Sequence, residues 1–337
     1  MSRRTGKRTF ALTGVYAVAA GTVVGDMEGK GPFGPYYDRV LKDDLFGEKT
    51  WEKAESKMFQ FAVDKAIEKA GLMTGDVDCL IGGDLLNQII SSSFAARELH
   101  LPYLGIYGAC STFSEATLLG GLLIDSRSMD CVVCATSTHF STAERQYRMP
   151  LELGTGRPPT AQRTTTAAGA CVLRSQGPGV RVTGCTLGEI IDWHIKDANN
   201  MGAAMAPAAA DTIAAHLLET QRAPGYYDCI LTGDLGHHGS EVAIKLLRQR
   251  GFDISKNHAD CGIEIYPANA DVQSGGSGCG CSAVVFGAFY LKELMKGRIN
   301  RLLLVSTGAL LSPTSTLQGE TIPGIAHAVA FESGEEG

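Results

Sequence analysis

The chain has 337 residues, a formal net charge of −6, 44% hydrophobic and 20% charged residues. This length has room for two substantial cores, and the composition is that of a folded α/β protein rather than a disordered or fibrous one. No Lys/Arg run carries the interleaved aromatics of a nucleic-acid surface, so nucleic acid is excluded as an expected partner. Ten cysteines are too few for a disulfide scaffold of this size. Several sit inside apolar runs, as in Cys131-Val132-Val133-Cys134 and Ala170-Cys171-Val172, which suits buried thiols in a reducing compartment.

The N-terminal MSRRTGKRTFALTGVYAVAAGTVVGD sets four basic residues before a weakly apolar stretch, in the manner of a signal peptide. Thr13, Gly14, Gly21 and Thr22 interrupt that stretch, and its alternation predicts a strand and a loop instead. No run of 18 uninterrupted apolar residues occurs, so no membrane span is expected and membrane contact would go through a partner.

Ala54, Met58, Phe61, Ala62 and Ile67 recur at helical spacing ahead of an apolar strand, Cys79 to Asp84. Asp84-Leu85-Leu86-Asn87-Gln88 crowds polar side chains at its end: Asp84 reads as a helix cap, Asn87 and Gln88 as candidates for a pocket wall. Next come a strand over Tyr103 to Tyr107, a turn at Gly108, and a helix from Ser111 with Leu118, Leu119, Leu122 and Leu123 on one face. The sequence GACSTFS thus places Cys110 where a strand hands over to a helix, followed by Ser111 and Thr112. Free N–H groups and the helix dipole there favour a thiolate or a bound anion. Cys110 can be a nucleophile, a ligand contact or a packed thiol.

His139 follows the strand Cys131 to Thr136, placed to donate to a ligand or pair with a thiolate. Ser141-Thr142-Ala143-Glu144 has the spacing of a capping box, which gives Glu144 a structural role. Arg145 and Arg148 are cations either at a pocket mouth or on a solvated face. Cys131 and Cys134 face opposite sides of a strand, and Cys279-x-Cys281 and His237-His238 lack the spacing of a four-ligand zinc site, so no metal centre is expected. Gly275-Gly276-Ser277-Gly278 lacks the Lys-Ser/Thr of a phosphate loop and suits close backbone approach.

The chain repeats itself. Asp78-Cys79-Leu80-Ile81-Gly82-Gly83-Asp84-Leu85 returns as Asp228-Cys229-Ile230-Leu231-Thr232-Gly233-Asp234-Leu235 at an offset of 150, preceded by a second helix carrying Ile213, Ala214, Leu217 and Leu218. Cys110 against Cys281 and Thr136 against Thr307 both give an offset of 171, so the second copy holds roughly 21 extra residues within Asn257 to Gln273. The expected halves are 1–180 and 181–337, each alternating helix and strand into a mostly parallel sheet covered on both faces, packed about a pseudo-two-fold axis. Ligands gather beyond the carboxyl ends of such strands: Asp84 to Gln88, Cys110 to Thr112, Thr138 to Thr142, Asp234 to His238 and Gly275 to Ser282.

A duplicated α/β unit with a Cys at the start of the first half's central helix resembles the thiolase superfamily of thiolases and ketoacyl synthases, which implies a five-layer αβαβα fold. GDLLNQ, GACSTFSEA, TAERQYRMP, MGAAMAPAAADT, GGSGCGCSAVV and GALLSPTSTLQGETIPGIAHAVAFE, spread from about Gly14 to Glu332, are more closely similar to the stage V sporulation protein AD family of endospore-forming bacteria. That resemblance implies a non-enzymatic protein without a cofactor that binds dipicolinic acid (pyridine-2,6-dicarboxylate). It also implies work at the spore inner membrane, alongside membrane-embedded partners of the same operon, in moving that compound with its calcium into the developing spore. The superfamily commonly dimerises through the edge strand of the first half, so a homodimer is a further expectation.

Cys110 falls on the superfamily's nucleophile position. The station that carries a His or Asn in those enzymes reads Ser277-Gly278-Cys279, the second-Cys station reads Pro323-Gly324-Ile325, and His237 falls close to the ketosynthase histidine. Acyl transfer needs a base beside the nucleophile and an oxyanion hole, whereas binding a planar dianion needs N–H donors, a cation and an apolar slot. The helix starts at Cys110 and Cys281 would offer donors, His139 and Arg145 charge, Met205 or Phe140 ring contact, with Asn87, Gln88, Ser277, Gly278 and Cys279 around them. An inward Asp84 carboxylate would repel the ligand, which favours its capping role. The alternative is an acyl-transfer enzyme with Cys110 as nucleophile.

Overall fold

The computed structural model describes residues 3–147 and 156–334. The first half runs β1 (Tyr16–Val24), α1 (Trp51–Lys69), β2 (Cys79–Asp84), α2 (Ile90–Leu99), β3 (Tyr103–Gly105), α3 (Thr112–Asp125), β4 (Cys131–Thr138), α4 (Phe140–Tyr147) and β5 (Ala167–Arg174). The second runs β6 (Val180–Thr186), α5 (Met201–Thr220), β7 (Cys229–Thr232), α6 (Gly236–Gln249), β8 (His258–Asp260), α7 (Cys279–Val285), β9 (Arg301–Ala309) and β10 (Gly324–Glu332).

The first half's strands lie in the order β3-β2-β4-β5-β1 and the second's in the order β8-β7-β9-β10-β6. Numbered within each half, both orders are 3-2-4-5-1. In both, the outer pairs are parallel and the inner two antiparallel. The first strands of the two halves, β1 and β6, meet antiparallel at Ala17–Val180 and Tyr16–Arg181, which joins the sheets.

Local chemistry repeats as well. Asp78 Oδ2 accepts the amides of Asp130 and Cys131 at 2.7 and 2.9 Å, and Asp228 Oδ2 accepts those of Asn300 and Arg301 at the same distances. Sheet register corrects the repeat by one residue: Cys79 opposes Val132 and Cys229 opposes Leu302, so the downstream offset is 170, with Thr307 matching Ser137 rather than Thr136. The extra residues lie between β8 and α7, where the first half passes directly from β3 to α3.

Five layers follow from which faces are apolar. α1 and α2 cover the outer face of the first sheet, with Met58, Phe59, Ala62, Val63 and Ala66 fully buried against Val133 and Val172. α5 and α6 cover the outer face of the second, although Leu218, expected on the inward stripe, is exposed. Between the sheets lie α3 and α7, in contact with strands of both. Every residue of α7 is buried. Its approach to β5 is close enough that a Cβ on Gly280 would stand 2.2 Å from the Ala167 carbonyl oxygen, which is why that position has no side chain. The start of α7, a helix buried throughout, meets the carboxyl ends of β4 and β7 at Thr138 and Asp234, and α3, buried over most of its length, begins beside it, and so the site is created.

Candidate functional site

Cys110 sits just before α3, on a tight turn in which Ala109 adopts a φ of 50°. The thiol is buried, walled by Leu85, Ala143 and Cys279, with Tyr147 and Leu310 packed beside them. Its Sγ lies 3.7 Å from Ser277 Oγ, and that hydroxyl donates to Asp234 Oδ2 at 2.9 Å. The Gly278 amide also donates to Asp234 Oδ2, at 2.9 Å, and Thr307 Oγ1 donates to Oδ1 at 2.7 Å. Elements of both halves thus converge on one chain of contacts, thiol to hydroxyl to carboxylate.

The electrostatics oppose a thiolate. Burial first, then the Asp234 carboxylate, pushes the Cys110 thiol well above its ordinary range. Burial also lifts Asp234 itself to about 6, against the pull of the Gly278 amide and Thr307. With Ser277 donating to Asp234, the thiol is left as the donor to Ser277.

The helix starts have few free donors. The Ser111 amide bonds the Gly108 carbonyl and the Thr112 amide that of Ala109, while Ser111 Oγ and Thr112 Oγ1 donate to the same two oxygens at 2.7 and 2.6 Å. At α7, Gly278 N–H goes to Asp234, Gly280 N–H to Thr138 Oγ1 and Cys281 N–H to the Gly278 carbonyl. Cys279 Sγ is 2.9 Å from the Ser137 carbonyl.

The remaining expected contacts lie elsewhere. His139 is buried with both ring nitrogens used: Nδ1 accepts the Ser141 amide at 3.2 Å, so Nε2 carries the proton and donates to the Asp44 carbonyl at 2.6 Å. Burial holds its pKa below the usual value, and a neutral, fully bonded imidazole is a brace and not a cation for a ligand. Arg145 is partly exposed and pairs with Glu52 while stacking near Trp51. Met205 is fully buried in the outer core of the second half. Asn87 and Gln88 are exposed on a short helical turn where Gln88 takes a φ of 59°. Arg148 lies outside the described residues. His237 is exposed at the start of α6, and Asp234, at the end of β7, is the residue that reaches the Cys110 cluster.

Asp84 holds the Leu86 amide and both the amide and hydroxyl of Ser92, at 2.7–2.8 Å, so it braces the entry to α2. Its copy Asp234 does not repeat the job: Asp260 takes the Leu235 and Gly236 amides at 2.8 and 3.1 Å instead. Behind Cys279 lies buried Glu55, bonded to Ser137 and Thr142 and lifted to about 8 by burial and then by Asp84. Glu144 is buried and accepts from Thr164 Oγ1 at 2.8 Å, a tie to a neighbouring strand in place of the expected capping box. Among the described residues no group of three or more His, Cys, Asp or Glu could hold a metal ion.

Sequence reading placed Asp234 at a strand end where ligands gather but not beside Cys110, and it missed one group altogether. Arg163, in the polar run before β5, gave no signal: its guanidinium carbon stacks 3.9 Å from the centre of the Phe140 ring, beside a separate cavity.

Two paired halves, a five-layer arrangement and a cysteine at the start of the first central helix define a thiolase-like fold. Solved structures with this architecture include a variant of OleA from Xanthomonas campestris with cerulenin, at a TM-score of 0.63 and 15% identity, covering 96% of this chain and 97% of that one. Human mitochondrial 3-ketoacyl-CoA thiolase in complex with CoA gives a TM-score of 0.60 at 15% identity, covering 99% of each chain. The 3-oxoacyl-[acyl-carrier-protein] synthase III of Aquifex aeolicus VF5 gives 0.59 at 13%, over 94% and 99%. Within that fold the chain belongs to the stage V sporulation protein AD family, whose model matches residues 6–332. It is 44% identical over 330 residues to stage V sporulation protein AD of Bacillus subtilis (strain 168), covering 97% of both chains.

Proposed function

We propose that this sporulation protein binds dipicolinic acid without transforming it, and assists its passage into the developing spore together with membrane proteins of the sporulation machinery. The observation that supports the non-enzymatic part is the Cys110–Ser277–Asp234 chain: a buried thiol donating toward a carboxylate-bound hydroxyl, with His139 bonded to the Asp44 carbonyl instead and His237 exposed at the start of α6. A nucleophilic cysteine needs the opposite, a neighbouring cation or base that stabilises its thiolate. No helix among the described residues is long and apolar enough to cross a membrane, so in this reading the bilayer is crossed by partners and this chain works at its surface.

Isothermal titration with pyridine-2,6-dicarboxylate tests the reading, with saturable heat expected and silence from folded protein sinking it. The competing acyl-transfer reading draws on the position of Cys110 at a helix start in a thiolase-like fold. It requires an acyl adduct on Cys110 after incubation with acetyl-CoA or malonyl-CoA, read by intact mass; the binding reading expects none.

A further inference from the structure

Cys110 keeps 6% of its surface open to solvent, and the described residues that close it off are of two kinds. Leu85, Ala109, Ala143, Ser277 and Cys279 are themselves buried, so no way out runs past them. Tyr147 and Leu310 pack against the same cluster but are only partly buried, and they form the layer between the thiol and the surface. Beside Tyr147 stands the more exposed Tyr107, its hydroxyl 3.5 Å from that of Tyr147, too long for a good O–H···O bond.

The two covers are held differently. Leu310 is fixed through its backbone: one step beyond the Ala309–Gly324 pair of β9 and β10, its amide donates to the Pro323 carbonyl at 2.8 Å. Tyr147, on α4, is held by a side-chain bond, its hydroxyl donating to the Leu85 carbonyl at 2.8 Å. Burial above all raises the pKa of the Tyr107 and Tyr147 phenols, and Cys110 and Cys279 add to the rise through space, so both rings stand neutral on the approach to the two thiols. A hydrogen bond between neutral groups is worth about 0.5–1.5 kcal/mol net, and a tyrosine ring turns on its own side-chain torsions without moving backbone. Reaching the thiol past Ala143 or Cys279 would instead require packed helices to separate.

We infer that Tyr147 is a side-chain gate over Cys110, latched by its hydroxyl to the Leu85 carbonyl. The thiol is reached when that bond breaks and the ring turns aside, with the layers still packed. Access through this gate does not depend on what the protein binds.

The test is the rate of Cys110 alkylation by iodoacetamide at pH 8 in the full chain, read by peptide mass spectrometry. Cys134, fully buried in β4, is the internal reference. Tyr147→Phe keeps the ring and removes the latch, and is expected to raise the Cys110 rate about three- to tenfold while leaving that of Cys134 unchanged. Tyr107→Phe leaves the latch in place and is expected to match wild type. An unchanged Cys110 rate in Tyr147→Phe overturns the gate. An equal rise at Cys134 does so too, since the whole fold would then have loosened, and an equal rise in Tyr107→Phe overturns the latch. Should Tyr147→Phe fail to fold, wild type in urea below its unfolding midpoint decides. Turning one side chain exposes little surface, so the Cys110 rate is expected to stay flat while that of Cys134 climbs with urea; parallel slopes overturn the gate.

Discussion

Ser277 Oγ donates to Asp234 Oδ2 at 2.9 Å and stands 3.7 Å from Cys110 Sγ, so a carboxylate from the second half controls a thiol of the first. Because Asp234 disfavours the thiolate, removing its charge lowers the thiol pKa. Asp234→Asn should therefore raise the rate of Cys110 alkylation by iodoacetamide at pH 8 several-fold over wild type, measured by peptide mass spectrometry. An unchanged rate would mean that burial alone governs the thiol.

Glu55 is lifted from 4.5 to about 8 in the folded protein. A group with a raised folded pKa binds more protons folded than unfolded, so its contribution is fully present below about pH 4.5 and is lost as pH rises toward 8. Glu55→Gln removes that loss. Between pH 5 and pH 8 the wild type should lose stability relative to Glu55→Gln by on the order of 1–3 kcal/mol, read from urea midpoints at each pH.

Asp78 and Asp228 each tie two amides of a neighbouring strand. Their replacement by Ala should cost about 1–2 kcal/mol each, and by similar amounts, because the duplicated halves use the same brace. Chemical denaturation of the two variants checks this, with a twofold or larger disparity counting against equivalence.

Gly280→Ala places a methyl group 2.2 Å from the Ala167 carbonyl oxygen, backbone that cannot swing aside as a side chain would. The expected result is loss of soluble protein or a drop of about 3 kcal/mol or more. Gly75→Ala, with nothing within 4 Å of the added carbon, should stay within about 0.5 kcal/mol of wild type, both variants being compared by chemical denaturation.

The duplication was legible in the sequence because strand-end motifs such as Cys79–Asp84 and Cys229–Asp234 depend on local pattern: apolar runs that pair, and an acid where the chain turns. The strand-to-helix turn at Cys110 was legible for the same reason. What repeated letters could not carry is where a side chain points once two halves are packed together. Asp84 and Asp234 occupy matching positions, yet one braces a helix entry and the other faces Ser277 and Cys110, because Asp260, supplied by the second half's own β8, already serves the turn after Asp234. His139 and Arg145 have the right chemistry for an anion and the right strand end, but Asp44 and Glu52, distant in sequence, claim them. The Arg163–Phe140 stack joins residues with no periodic relation. Period and propensity act over a few residues, so the sequence determined the elements and their repeat, while hydrogen-bond satisfaction across the layers decided which polar groups remained unpaired.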